Sequence, residues 1–183
     1  MMTLTETGFD GLLIIEQKVF EDTRGYFMES YNLEKFEKLG INNKWVQDNQ
    51  SKSSKGVVRG LHYQLNPQAQ AKLIRVIDGI IYDIALDLRR DSKTFGQYYG
   101  LEISSANRKQ FLVPHGFAHG FSVLSEYATV LYKCDSLYSP TLERGINPND
   151  PDLAIDWKLK NDEMILSEKD IKNPLFIDSE YNF

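Results

Sequence analysis

The 183-residue sequence has one cysteine, three histidines and no long uninterrupted apolar run. Because Cys134 is alone, it cannot form an internal disulfide, which is typical of proteins from a reducing compartment. Residues 1–17 lack the positive charge and the apolar stretch of a secretory leader, and no segment approaches the length of a membrane span. We therefore expect a cytoplasmic protein that does not bind membranes.

Basic residues are fewer than acidic ones, since 21 Lys and Arg and 26 Asp and Glu leave a net charge of −5. This charge argues against general nucleic-acid binding, so an anionic ligand needs its own cluster of Lys and Arg. The length suits one domain, and no repeat, low-complexity segment or linker divides the chain. We therefore expect a single domain over 1–183.

Aromatic residues, by contrast, are plentiful, with ten Tyr and ten Phe, as in strand-rich proteins. Strands are predicted at 12–15 and 26–31, with a polar turn at 20–25 between them. Asn32 predicts the start of a short helix, and Ser167 predicts another near the C-terminus. Frequent strands and short helices predict an all-β, cupin-like jelly roll, that is, a two-sheet β-sandwich or barrel.

Two stretches have the alternation and the turn residues of β-hairpins. Over 71–88 the two-residue turn is Asp78-Gly79, and over 118–134 it is Ser125-Glu126. Because strand side chains alternate between two faces, the hairpins are predicted to point four polar side chains inward. These are Lys72 and Asp83, diagonal neighbours in the first hairpin, and His119 and Tyr132, directly opposite each other in the second.

The segment GVVRGLHYQ at 56–64 brings Arg59 and His62 close to Lys72 in the sequence. A lone histidine is more often a satisfied core residue than a functional one. Burying three basic groups costs free energy, however, so their proximity favours a functional site over a packing role.

The motif Pro114-x-Gly116-x-x-His119 is similar to the second sequence motif of the cupins. Metal-binding cupins carry two histidines and a glutamate in their first motif, but only His62 stands at that place here. A catalytic transition-metal site usually needs three nitrogen or carboxylate ligands, and Asp83 is the open alternative for the third. We expect acid–base chemistry without a metal.

Ordered segments across nearly the whole chain resemble the family of dTDP-4-dehydrorhamnose 3,5-epimerases. The segments are RGYF at 24–27, VQDNQS at 46–51, RGLHYQ at 59–64, KLIRV at 72–76, DIALDLR at 83–89, GFAHGF at 116–121, YKCD at 132–135 and SEKD at 167–170. The resemblance implies an isomerase that inverts C3 and C5 of a dTDP-linked 4-keto-6-deoxyhexose. It also implies that neither a metal nor an organic cofactor is needed.

The resemblance further implies six catalytic residues. His62 would remove the proton next to the ketone, Asp170 would hold its imidazole, and Tyr132 would return a proton from the opposite face. The other three would act at the C4 oxygen, with Lys72 and His119 stabilising the enolate and Asp83 orienting His119.

Ten further residues match family positions that hold the nucleotide sugar, and Tyr138 is implied to stack on the thymine. The family also implies a homodimer in which the strand around Arg24 reaches the neighbouring subunit's site. The ten positions are Arg24, Phe27, Glu29, Gln47, Asp48, Asn49, Arg59, Tyr138, Glu143 and Lys169.

Three alternatives stay open at the level of sequence. A relative that inverts only C3 or only C5 would use the same base and acid. A sugar-binding cupin without turnover would not need His62, Asp170 and Tyr132 together. A metal-dependent dioxygenase is disfavoured by the missing histidine pair of the first cupin motif.

Overall fold

The computed structural model describes residues 2–183 and consists mainly of antiparallel strands. In chain order the strands are β1 Thr3–Glu6, β2 Leu13–Glu16, β3 Val19–Asp22, β4 Gly25–Met28, β5 Gln47–Ser54, β6 Val58–Gln64, β7 Lys72–Asp78, β8 Ile80–Asp87, β9 Tyr98–Ser104, β10 Gln110–Val113, β11 Phe117–Val123, β12 Tyr127–Cys134 and β13 Glu143–Gly145. The helices are α1 Leu33–Lys38 and α2 Glu168–Ile171, with short 3-10 turns at Asn161–Glu163 and Phe176–Asp178.

Two sheets pack face to face. One has six strands in the order β1-β2-β10-β7-β12-β5, and the other has five in the order β13-β6-β11-β8-β9. Strands β3 and β4 pair only with each other and form a separate hairpin. This arrangement confirms the predicted all-β, cupin-like jelly roll. In residues 2–183 no helix is long and apolar enough to cross a membrane.

The main apolar cluster fills the space between the two sheets, with Ile74 and Phe111 from one sheet and Ile81 and Phe121 from the other. A second cluster covers the outer face of the five-stranded sheet, where the C-terminal segment packs through residues such as Trp157. Helix α1 packs on the outer face of the six-stranded sheet. Both sheets are therefore covered in part on their outer faces.

Both predicted hairpins are wrong. Strand β7 pairs with β10 and β12, whereas β8 pairs with β9 and β11, so Asp78-Gly79 joins the two sheets instead of two paired strands. The turn after β11 likewise leads into β12 of the opposite sheet. Tyr132 therefore lies opposite Asn49 and Ile74, and not opposite His119.

The inward direction of the four polar side chains is nevertheless right. Side chains alternate along each strand, and after the turn the next strand faces the first from the opposite sheet. The same alternate positions therefore point into the space between the sheets in both strands. Lys72, Asp83 and His119 are buried there, and Tyr132 packs against the cluster between the sheets.

The predicted local signals near the N-terminus are partly right. The predicted turn at 20–25 is too long, because β3 continues to Asp22 and the reversal takes only the two residues before β4. The following strand ends at Met28. Both helix caps are confirmed: the Asn32 side chain accepts the Lys35 N–H, and Ser167 Oγ accepts the Asp170 N–H at 3.0 Å.

Candidate active site

A cavity of about 310 Å³ opens between the sheets and is lined by strands of both. Strands β5, β7 and β12 contribute from the six-stranded sheet, and β6, β11 and β13 contribute from the five-stranded sheet. The lining residues are Gln47, Asn49, Ser51, Arg59, His62, Tyr63, Gln64, Gln70, Lys72, His119, Phe121, Tyr132, Tyr138 and Glu143.

A bulge in β6 aims two basic side chains into this cavity. His119 pairs with His62, and Phe121 pairs with Arg59, so two steps along β11 correspond to three along β6. Residues three apart on a regular strand point to opposite faces, but the extra residue of a bulge restores the same side for Arg59 and His62. Gly60 makes the bulge possible, since its φ is +139° and a Cβ there would come within 2.5 Å of the neighbouring strand's backbone.

His62 is held by Asp170, which the short helix α2 places beside β6. The Nε2 atom of His62 lies 2.6 Å from Asp170 Oδ1. Burial raises the pKa of Asp170, but hydrogen bonds with His62, Ser167 and the Gly60 backbone and the charge of His62 outweigh it. The pKa of Asp170 is therefore below its ordinary value, and the group is a carboxylate that orients the imidazole.

His119 forms a second pair, with its Nε2 atom 2.7 Å from Asp83 Oδ1. Both side chains are buried, and Asp83 Oδ2 has no hydrogen-bond partner among residues 2–183. Burial raises the pKa of Asp83 despite the opposing influence of His119 and Lys72. The second pair is thus buried in the interior, where charges interact more strongly than in water.

Lys72 places an amino group next to β6, the strand that carries His62. Its Nζ atom donates to the backbone oxygen of His62 at 3.3 Å. Burial lowers the pKa of Lys72, against the charges of Cys134, Asp83 and Glu143. The group is therefore a buried donor, and it gives up its proton at a lower pH than an exposed lysine.

Tyr132 approaches the cavity from the sheet opposite to His62. Burial raises its pKa, and Cys134 raises it further, while Arg59 opposes the shift. The phenol therefore stays protonated at neutral pH. A ligand between the sheets has an imidazole on one side and a proton-bearing phenol on the other.

The rim of the cavity carries a connected set of polar groups. Gln47 accepts the Tyr138 backbone N–H at 2.9 Å and donates to Asn49 at 3.0 Å. Glu143 accepts from the Tyr138 hydroxyl at 2.9 Å and from Lys169 Nζ at 2.6 Å. Such a set of amides, an aromatic ring, a carboxylate and a cation suits a ligand with several polar groups.

The family model for dTDP-4-dehydrorhamnose 3,5-epimerase matches residues 6–178. The chain belongs to this family. A dTDP-4-dehydrorhamnose 3,5-epimerase of Shigella flexneri is 48% identical over 181 residues, which are 98% of this chain and 99% of the relative. The crystal structure of the family member from Elizabethkingia anophelis has a TM-score of 0.94 and 54% identity, and covers 98% of this chain and 99% of that one. A Legionella pneumophila member in complex with dTDP-4-keto-L-rhamnose has a TM-score of 0.93 and 46% identity, and covers 98% and 95%.

Most residues that the family resemblance implies do converge on the cavity. Of the six catalytic positions, His62, Lys72, His119 and Tyr132 line it, while Asp83 and Asp170 stand behind the two histidines. Gln47, Asn49, Arg59, Tyr138 and Glu143 also line it, and Lys169 is bound to Glu143 at its rim.

Asp48 does not join this set. It lies on the opposite face of β5, where Lys133 Nζ is 2.9 Å from its carboxylate. Gln47 and Asn49 line the cavity, and alternation turns the residue between them outward. Within a single chain Asp48 therefore faces away from the cavity, and its contact with the substrate stays a prediction.

The structure also places Arg24, Phe27 and Glu29 away from the cavity of their own chain. Arg24 is bound to Asp22 beside it, with its side chain 88% exposed. Phe27 is 68% exposed, and Glu29 is bound to Lys35. Within a single chain these three residues therefore take no part in the site.

Several lining residues were not predicted from the sequence. The alternation in fact indicates three of them, since Ser51 follows Asn49 by two positions, Gln64 follows His62 and Phe121 follows His119. Gln70 lies in the loop before β7, where no periodic signal applies. Tyr63 also lines the cavity, although its hydroxyl donates to Glu180.

The two histidine pairs bear on the open question of a metal ligand set. In residues 2–183 no three His, Cys, Asp or Glu side chains are grouped to hold a metal ion. His62 and His119 instead contact different carboxylates, and the third-ligand alternative, Asp83, is bound to His119.

Proposed function

We propose that this protein is a dTDP-4-dehydrorhamnose 3,5-epimerase that converts dTDP-4-dehydro-6-deoxy-D-glucose into dTDP-4-dehydro-L-rhamnose. The observation that supports this most is the pair His62–Asp170 on one wall of the cavity with Tyr132 on the other. The ligand of the Legionella relative, dTDP-4-keto-L-rhamnose, is the product of such a reaction.

Proton removal is the first step at each carbon. The hydrogens on C3 and C5 are acidic because both carbons flank the C4 ketone. His62 takes the proton, and Asp170 keeps the imidazole in position and stabilises the imidazolium that forms. The Nε2 atom is bound to Asp170, so Nδ1 is the nitrogen that faces the substrate.

The enolate that results carries negative charge on the C4 oxygen. Lys72 and His119 stabilise this oxygen, and Asp83 orients His119 through its 2.7 Å contact. A donor placed in a buried site in advance is worth much more than one in water. Burial of both groups is therefore part of how they act.

Return of a proton completes each inversion. A base that returned its own proton to the same face would restore the original configuration. Tyr132 lies on the opposite sheet and stays protonated, so it supplies the proton to the other face of the ring. The imidazolium then loses a proton to solvent, and the tyrosinate takes one up, before the next inversion.

The rim of the cavity binds the nucleotide and its diphosphate. Arg59 and Lys169 supply positive charge at the rim of a chain whose net charge is −5. Tyr138 offers a ring to the thymine, and Gln47 and Asn49 offer amide groups. These residues match family positions that hold the nucleotide, and they lie together at the rim.

The active form is a homodimer in which each β3–β4 hairpin completes the partner's site. This would give Arg24, Phe27 and Glu29 a function, although all three lie away from their own chain's cavity. The hairpin also exposes large apolar side chains, with Phe20 53%, Tyr26 52% and Phe27 68% exposed. Exposed apolar patches of this kind mark interaction surfaces.

The chain forms one domain in the cytoplasm. The family match over residues 6–178 supports a single unit. The buried, unpaired Cys134 supports a reducing compartment. Cell fractionation tests the location, and limited proteolysis that releases two stable pieces would contradict the single domain.

The function is tested by incubating the protein with dTDP-4-dehydro-6-deoxy-D-glucose and following the sugar by NMR, with and without prior chelation of metals. We expect an L-configured product inverted at both carbons, at the same rate after chelation. A product inverted at C3 alone would make the protein a 3-epimerase. Activity lost on chelation and restored by one divalent metal would contradict the metal-free mechanism.

A further inference from the structure

The cavity wall combines polar groups with the rings of Phe121, Tyr63, Tyr132 and Tyr138. Among the described residues that line it, Phe121 is the one side chain without a polar atom. It is 4% exposed and belongs to the apolar cluster between the sheets. The ring of Phe121 therefore contacts both the cavity and the apolar core. A ligand group that touches this ring moves from water to an apolar surface.

Phe121 lies beside the groups assigned to the C4 oxygen. It follows His119 by two positions on β11, on the same face, and the two ring centroids are 6.4 Å apart. On the adjacent strand it pairs with Asp83, the carboxylate that holds His119. A sugar whose C4 oxygen approaches Lys72 and His119 thus brings C3 or C5, the carbons next to C4, towards Phe121.

The substituents on those two carbons differ in polarity. In the proposed substrate C5 carries a methyl group, whereas C3 carries a hydroxyl group. Burial of a methyl group against a phenyl ring is favourable, whereas a hydroxyl group buried there loses its hydrogen bonds to water. The ring of Phe121 therefore favours the orientation that brings C5 towards β11.

We propose that Phe121 receives the C5 methyl group and is a specificity-determining residue for 6-deoxy sugars. The inference rests on the proposed function, because it takes the reacting sugar to be a 4-keto-6-deoxyhexose. It adds a reason why the sugar enters in one orientation, with the methyl group at Phe121 and the C3 hydroxyl group towards the polar wall.

Three unreactive ligands test the proposal, since they have a hydroxyl group at C4 and differ only at C5. They are dTDP-6-deoxy-D-glucose with a methyl group, dTDP-D-glucose with a hydroxymethyl group and dTDP-D-xylose with hydrogen. Titration calorimetry on the wild-type protein should show the methyl ligand binding roughly 10-fold or more tightly than the other two, the scale for one methyl-sized group in an apolar pocket. In Phe121→Ala this preference should largely disappear.

Phe117→Ala is the matched control, because Phe117 lies on the same strand and in the same apolar cluster but does not line the cavity. It should lose stability and keep the preference for the methyl ligand. Equal affinities in the wild-type protein, or an unchanged preference in folded Phe121→Ala, would overturn the proposal. The wild-type series needs no variant, so equal affinities there would overturn the proposal even if Phe121→Ala does not fold.

Turnover separates this inference from the proposed function. A wild-type protein that epimerises the 4-keto sugar but binds the three ligands equally keeps its function and removes the role of Phe121. A protein whose preference for the methyl ligand disappears in Phe121→Ala, but which does not turn over the 4-keto sugar, supports the role of Phe121 and contradicts the function.

Discussion

At the scale of single residues, the placement of His62 and Tyr132 on opposite sheets predicts that their variants fail in different ways. His62→Ala should abolish exchange of the C3 and C5 hydrogens with solvent deuterium, because the base is gone. Tyr132→Phe should still allow exchange, since His62 can return a deuteron to the same face, but it should not complete the inversion. NMR of the 4-keto sugar in D₂O measures exchange and inversion together.

Two controls match these variants. His115→Ala removes an exposed histidine that does not line the cavity, and Tyr99→Phe removes a hydroxyl group from a tyrosine of the core. Both should exchange and invert like the wild-type protein. Wild-type exchange in His62→Ala would rule out the assigned base.

Lys72 predicts the alkaline side of the pH–rate profile. Burial lowers its pKa, so Lys72 loses its proton at a lower pH than an exposed lysine does, whereas burial raises the pKa of Tyr132. The value of kcat should fall with that loss, and Lys72→Arg, which stays charged, should move the fall to higher pH. Lys72→Ala should lower kcat by roughly 10²–10³ at neutral pH.

The measurement is kcat against pH for the wild-type protein and for Lys72→Arg. The absolute rate of the arginine variant does not matter, because only the position of the alkaline limb is compared. An unchanged limb would show that Lys72 is not the group whose charge the enolate needs.

Some of these residues can be predicted from the sequence by simple rules, and others cannot. Alternation is enough to indicate Ser51 and Phe121. It also predicts that Asp48 points to the opposite face of β5 from Gln47 and Asn49. Asp170, however, lies 108 positions from His62. No local pattern joins a helix-cap segment to a strand so far away, so this pair came from the family resemblance.

Among the secondary-structure elements, the bulge in β6 predicts that Gly60→Ala lowers activity although Gly60 itself does not line the cavity. The alanine would need a φ of +139° and would press on Gly120, so the bulge must shift. We expect a loss of about 1–3 kcal/mol in the free energy of unfolding, as for other strained backbone positions. Because the shift moves Arg59 and His62, kcat/KM should fall about 10²-fold.

Gly40→Ala is the control for this prediction. Gly40 also has a positive φ of +81°, but nothing lies within 4 Å of the added Cβ. It should lose stability through backbone strain alone and keep its activity. Thermal unfolding and steady-state kinetics compare the two variants, and a Gly60→Ala protein with wild-type kcat/KM would contradict the role of the bulge.

The strands themselves were easier to predict than their partners. Alternation within Lys72–Asp78 and Ile80–Asp87 identifies the inward face of each strand correctly. It contains no information on whether the next strand returns in the same sheet or crosses to the other, because Asp-Gly serves both connections. The pairing depends on contacts distant in sequence, such as that of β7 with β10 and β12.

At the scale of the whole molecule, the proposed exchange of hairpins between subunits predicts recovery of a site in mixed dimers. A dimer of one Arg24→Ala subunit and one His62→Ala subunit has a single site with both residues intact, if Arg24 acts across the interface. Differently tagged, co-expressed subunits allow this species to be purified. Its KM should be that of the wild-type protein, with one active site per dimer.

The two homodimers are the controls. Arg24→Ala should have a raised KM, and His62→Ala should be inactive. If Arg24 serves its own chain, the mixed dimer will keep the raised KM of the Arg24→Ala parent. A fully active monomer in light scattering would also contradict the exchange.

In the proposed mechanism one cavity inverts two carbons by moving protons between His62, the enolate and Tyr132. The wild-type reaction is run in D₂O, and NMR locates deuterium in the product. Each inversion replaces the original hydrogen with one from Tyr132, which exchanges with solvent. We expect deuterium at both C3 and C5, each inverted. An inverted carbon that keeps its original hydrogen, or a product labelled at C3 alone, would rule out this mechanism.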